Sequence, residues 1–239
     1  MKDTIKKQFH LMTEDWILGG GLILGGFLVG QILHALILHT DPTATHSVPL
    51  GSILAAAVAV VFVIMESTSS IRTLFHIEVS MGCTRKRFYV SFFTVQLTSC
   101  AAAFLFLLFL AWIENDLNAW LYPGLAAKLD FMEGLLKWGV PAALTATTVG
   151  GFCGGLLMRF GRTAFWILWA VWMLLCVGFP QVCDAIEEAP GSFFGVLGMR
   201  ILEMTGKVPT GVWMALLAAA VIGCAVGSWQ IIRKQEVIS

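Results

Sequence analysis

Glu187 and Glu188, in "AIEEAPGSFFGVLGMR", are the side chains best spaced here for hydrolytic chemistry, because adjacent carboxyls can activate a water. Their setting argues against it. The pair lies outside the apolar runs, Arg200 follows only twelve residues after Glu188, and no paired-His motif stands in a neighbouring run. His34, His39 and His46 are the best potential metal ligands, but the last two fall in an expected loop, so no metal site is assigned. The six Cys form no CxxC pair and read as small apolar fillers. No GxxxxGK[ST] phosphate loop occurs. The expectation is a chain with no catalytic residue and no cofactor of its own.

The elements that hold these residues are set by composition. Of the 239 residues, 58% are hydrophobic and 13% charged, where soluble domains carry about 25% charged residues. Such a chain cannot cover its own surface with polar groups, so its solvent is lipid. Fifteen cations balance fifteen acids, which gives nucleic acid no reason to bind. A span needs about 20 apolar residues, and six candidates occur: about 17–38, 50–70, 88–113, 138–158, 164–182 and 208–232. The first run is long, Gly-rich and lacks a cleavage site, so it reads as a true span. The fold class expected is an all-α polytopic membrane protein, a single transmembrane domain over 1–239. An amphipathic interfacial helix is expected over 1–15, with Ile5, Phe9 and Met12 on one face. A short extracellular helical or re-entrant segment is expected within 183–207.

Orientation follows from lysine and arginine. Lys2, Lys6, Lys7, Arg72, Arg85, Lys86, Arg87, Arg159, Arg162, Arg233 and Lys234 fall on one side. Lys128, Lys137, Arg200 and Lys207 fall on the other. The first side is expected to be cytoplasmic and to hold both termini. Glu114 and Asp116 are expected to face outward. Glu66 and Arg72 are read as interfacial, and as a pair if buried.

The most basic stretch is "SMGCTRKRFY", Ser80 to Tyr89. Before it, Ile71, Leu74, Phe75 and Val79 fall on one helix face, which predicts a short amphipathic helix after the second span. Gly82 suits the left-handed position that ends a helix. Thr84 suits the cap of the next one. Arg85, Lys86 and Arg87 then sit at the phosphate level, where the third span enters the bilayer.

A short amphipathic helix and "SMGCTRKRFYVSFF" before the third of six spans resemble the permease subunits of bacterial ABC-type exporters, in the six-helix class called type V. The resemblance covers the six-span layout and the N-terminal helix, and its specific motif is this loop. It implies a coupling helix seated in a groove of a separate ATPase subunit, with Arg72, Phe75, His76, Glu78, Met81, Gly82, Thr84 and Arg85 facing that partner. ATP and Mg would be bound there, not in this chain. It implies a unit of two ATPases and two permeases, identical or paralogous, in the bacterial cytoplasmic membrane. The family's protomer seam involves the first and fifth spans, which makes Gly21, Gly25, Gly26 and Gly30 the dimer-packing candidates; such glycines equally serve packing within one chain.

Polar side chains inside the spans are few. Gln31, His34, Gln96 and Thr147 are the substrate-path candidates. The lack of intramembrane carboxylates argues against ion coupling and for an apolar or amphipathic cargo such as a peptide, lipid or hydrophobic drug. Trp166, Trp169 and Trp172 read as lipid-facing packing. The alternative function is a non-transport membrane protein, an immunity, scaffold or assembly factor working without an ATPase.

Overall fold

The computed structural model describes residues 2–40, 46–122, 126–127, 131–178, 180–181, 183–184, 196, 199 and 209–235. Its elements are α1 (Lys2–Leu11), α2 (Thr13–Thr40), β1 (His46–Ser47), α3 (Leu50–Ser80), α4 (Arg85–Leu121), β2 (Ala126–Ala127), α5 (Phe131–Phe160), α6 (Arg162–Met173) and α7 (Thr210–Lys234). A π-turn, Leu174–Gly178, continues α6. Among the described residues, five helices are long and apolar enough to cross a membrane, α2 to α5 and α7. The chain is therefore a polytopic, helical membrane protein.

Several expected boundaries move. The second span and the predicted amphipathic helix are one element: α3 runs unbroken for 31 residues, about 46 Å, well past a hydrocarbon core of about 30 Å. Apolar periodicity on one face persists across residues 66–80, so nothing stops the helix before Gly82. At its far end α4 continues past 113 to Leu121, and α5 begins at Phe131 rather than near 138. Of the expected fifth span, α6 and its π-turn cover residues 162–178, and Pro180–Gln181 and Cys183–Asp184 are helical as well. The segment assigned to 183–207 lies almost wholly outside the described residues. Among the described residues, β1 and β2 form a two-residue parallel pairing between the α2–α3 and α4–α5 connections.

Packing orders the bundle. Gly19, Ile23, Phe27, Gly30 and His34 are the buried stripe of α2, at the three- and four-residue spacing of one helix face. This stripe meets α3, with Gly30 against the backbone of Leu50 and Gly51. α5 packs on α3 through Gly150 and Gly154 and on α7 through Gly155 and Gly227. A core of Met12, Ile71, Leu74, Phe75, Phe88, Phe92, Val95 and Ile232 closes one end. That end holds α1, the α3–α4 turn and the end of α7, so the first and last described helices meet there. Gly155 packs on Ile231, which puts the end of α5 there too. The chain must therefore return to the far end between 160 and 210, as α6 begins to do. α6 is exposed nearly throughout, with Trp166, Trp169 and Trp172 each about half exposed.

Candidate functional site

The α3–α4 elbow is built as a helix stop followed directly by a helix start. The Gly82 N–H donates to the Val79 carbonyl at 3.0 Å and the Cys83 N–H to the Glu78 carbonyl at 2.9 Å. This is a Schellman closure, and Gly82 takes the left-handed φ of +84° that it requires. Thr84 occupies the N-cap of α4, but its side chain makes no capping bond, contrary to expectation.

The inner face of the elbow is closed by the chain itself. Phe75 is 0% exposed and meets Phe88 edge-on at 5.4 Å, and Phe88 stacks with Phe92. Met12, Ile5 and Phe9 pack on this cluster, so the apolar face of α1 is spent on protein rather than on the membrane interface. Glu78 is buried as well. Neither of its carboxyl oxygens has a hydrogen-bond partner among the described residues. Burial pushes the Cys83 thiol up, and the neighbouring Glu78 carboxyl adds to this, so Cys83 is a thiol rather than a thiolate. Arg85 donates to the Arg233 carbonyl at 2.6 Å and Tyr89 to the Ala225 carbonyl at 2.6 Å. Arg85 thereby neutralises the negative end of α7.

The eight residues expected to face a partner therefore divide. Phe75 and Glu78 point inward, and Arg85 is committed to α7. Arg72, Met81, Gly82 and Thr84 are exposed, Met81 to 62%, and His76 is partly exposed. Lys86 and Arg87 join them on the outer surface. An alternating pattern read from sequence identifies a buried face, but does not say what buries it.

The dimer candidates divide in the same way. A Cβ on Gly30 would sit 2.5 Å from the Leu50 carbonyl, and one on Gly26 would meet Val58 at 3.0 Å. Both glycines serve the α2–α3 contact. Gly21 and Gly25 have open space before them. Only this pair remains available to a second copy.

At the far end a polar network binds three helices. Glu114, expected to face outward, is 1% exposed. It accepts from the Gly51 N–H at 2.9 Å, the Ser52 N–H at 2.7 Å, the Ser52 hydroxyl, and Gln31 Nε2 at 2.5 Å. The carboxylate satisfies donors in the first turn of α3 that no carbonyl reaches, where the helix dipole also favours negative charge. Gln31 is thus a structural ligand of Glu114. His34, 3% exposed, lies against the Tyr122 ring with Nε2 unpartnered.

A second polar layer crosses the interior. Gln96 Nε2 donates to Ser67 Oγ at 2.8 Å, and Cys100 Sγ lies 3.0 Å from Thr147 Oγ1. Beside it, Glu66 is only 6% exposed and both its oxygens lack a partner. Glu66, inside the expected second span, and Glu114, one residue past the expected third, are both enclosed by the bundle, so the expected lack of carboxylates among the helices does not hold. Arg72 does not pair with Glu66; it is exposed, six residues on. Of the cysteines expected as fillers, Cys100 alone is fully buried among the described residues, and Cys176 and Cys183 are exposed. Among the described residues no three His, Cys, Asp or Glu side chains converge as metal ligands.

No protein-family model, no curated protein and no solved structure matches this chain.

Proposed function

We propose that the chain is the membrane-spanning permease subunit of an ATP-driven exporter, moving an apolar or amphipathic molecule and receiving motion from a separate ATPase at the α3–α4 elbow. The observation that supports this reading is the form of the elbow. α3 projects beyond the length needed to cross a membrane, ends in a closed Schellman turn, and is welded to α4 by the Phe75–Phe88–Phe92 stack. A push on its tip moves two helices as one body, because a packed aromatic core transmits displacement rather than absorbing it. Towards the end of α3 and the start of α4, Arg72, Met81, Lys86 and Arg87 are exposed, three cations and an apolar thioether, residue types suited to an acidic-rimmed groove. ATP and Mg would belong to the partner, and the termini and elbow would be cytoplasmic, as the lysine and arginine distribution favours. Gly21 and Gly25 on the open face of α2, with the largely exposed α6, would supply the seam to a second permease.

The enclosure of Phe75 and Glu78 favours a second reading, a scaffold or immunity protein that engages no ATPase. The two are separated by a photo-crosslinking amino acid placed at Met81 and, in parallel, at Phe75. The transport reading expects Met81 to capture a protein carrying a phosphate loop and Phe75 to yield only crosslinks within the chain. A Met81 probe that captures no such protein in native membranes would favour the second reading.

A further inference from the structure

α5 packs tightly on α3 at Gly150 and Gly154. Further from the elbow a groove of about 350 Å³ opens between these two helices, with α4 as its floor. Val60 of α3 and Gly134, Trp138 and Ala142 of α5 are its exposed lips, and Ala59, Val63, Cys100 and Leu107 lie buried beneath them. The α5 lips stand four residues apart, one stripe of a helix face. The space exists because short side chains line it, Ala56, Ala103 and Ala146 among them. Among the described residues the walls carry two polar side-chain groups, the Trp138 indole N–H and the Cys100 thiol. The thiol is already paired with Thr147 at 3.0 Å. Below Trp138 nothing satisfies a polar guest, so what fills the groove there is hydrocarbon.

Depth assigns the groove to one leaflet. A hydrocarbon core of about 30 Å takes about 20 helical residues. Counted from Arg87 on α4 and from Arg159 on α5, both at the elbow end, it closes near Leu107 and Gly139. The counts agree to about one turn, since Phe104 of α4 packs on Gly139. The groove therefore runs from hydrocarbon at Ala146 out to headgroup level at Trp138 and Gly134. Lys137 is exposed at that level, with its Nζ 6.0 Å from the centre of the Trp138 ring. Glu133, one turn further out, is already engaged. A lysine and an indole above apolar walls are the groups that meet a lipid phosphate and its chain.

We infer that the groove holds one phospholipid of the leaflet away from the elbow, with an acyl chain laid over α4 between α3 and α5 and its phosphate at Lys137. At roughly 30 Å³ per methylene, about the share of one water, the groove takes about twelve methylenes, one chain and no second. Its α5 wall, Phe131 to Ala146, is about 22 Å long, enough for such a chain and its headgroup. A space one chain wide admits a tail but not a whole helix of a second copy, which is about 10 Å across. The inference needs no ATPase and does not depend on the transport reading.

The probe is phosphatidylglycerol with a diazirine midway along one acyl chain, added to the full chain in nanodiscs of zwitterionic lipid, photolysed and mapped by peptide mass spectrometry. Label is expected on the groove floor, Ala59, Val63, Cys100 or Leu107, which bulk lipid does not reach. Exposed α6 reports bulk lipid in the same sample. An added Cβ on Gly134 meets nothing within 4 Å, so Gly134→Leu should fill the mouth and lower floor labelling at least about tenfold, with α6 unchanged. Lys137→Gln should lower floor labelling about fivefold, the effect of one interfacial lysine. It should leave labelling by a diazirine diacylglycerol, which has no phosphate, unchanged. Melting at the wild-type midpoint shows that the variants fold, and Lys137 is exposed, so its variant decides even where Gly134→Leu melts early. A wild-type floor without label beside a labelled α6 would mean that protein covers the groove, and would overturn the inference. Undiminished floor labelling in a folded Gly134→Leu variant, or in Lys137→Gln with phosphatidylglycerol, would overturn it too. Failure here leaves the elbow crosslink free to succeed, and the reverse.

Discussion

Glu114→Gln is a near-isosteric change with a large expected effect. Each carboxylate oxygen accepts one backbone N–H from the first turn of α3, Gly51 on one side and Ser52 on the other. Either orientation of the amide turns an NH2 group toward one of those donors. One buried backbone N–H is then unsatisfied and faces another donor, a loss of about 1–3 kcal/mol. The charge that favours the helix N-terminus is lost as well, worth up to about 1 kcal/mol more. Glu114→Ala orphans both backbone donors together with the Ser52 hydroxyl and the Gln31 amide, and should cost about 3–5 kcal/mol. The assay is equilibrium unfolding in mixed detergent–SDS micelles, read by far-UV circular dichroism. The expected order is wild type, then Gln, then Ala. If Glu114→Gln unfolds within about 0.5 kcal/mol of wild type, a difference within the scatter of unrelated surface changes, the carboxylate does not hold α3 and the far-end network is misassigned.

Further outcomes follow from the same contacts. Phe75→Ala should destabilise the folded chain by about 3–5 kcal/mol, because the ring is wholly enclosed, and the same unfolding assay measures it. Gly82→Val should cost about 1–3 kcal/mol at φ +84°, with Gly82→Asn milder, seen as faster hydrogen exchange at the end of α3. Gly30→Leu should lower the melting temperature, since its Cβ meets the Leu50 carbonyl, whereas Gly25→Leu should leave melting unchanged and weaken chain–chain crosslinking in membranes. In a background without native Cys, a cysteine at Ala126 should react with an impermeant thiol reagent added outside intact cells and one at Gly161 should not; the opposite pattern would invert the topology.

Much of the bundle was legible because hydrophobic length and helix-terminating residues are local signals. The left-handed Gly82 and the apolar face of Ile71, Leu74, Phe75 and Val79 were readable from spacing alone. What covers that face was not, because the answer, α1 and the end of α7, lies 60 to 160 residues away in sequence. Glu114 looked like a loop acid because it follows an apolar run by one residue. Its role depends on where the first turn of α3 lies in space, which no local pattern encodes. The two GxxxG pairs of α2 are identical as motifs, and only the packing of α3 assigns Gly26 and Gly30 to the interior and leaves Gly21 and Gly25 free. Glu66 was read as interfacial, and its enclosure depends on how the other helices pack around α3, which no local pattern encodes.

ATP turnover reports on whether the exposed tip of the elbow engages an ATPase. The tagged full-length chain is purified from its native membrane in mild detergent, and MgATP hydrolysis is measured for wild type and for the Arg72→Glu, Met81→Glu double variant. Both residues are exposed, so the double variant should fold with an unchanged melting temperature. The permease reading expects an ATPase with a phosphate loop and vanadate-sensitive turnover in the wild-type preparation, both lost from the variant. A wild-type preparation without such turnover, or a variant that retains it in full, would contradict that reading.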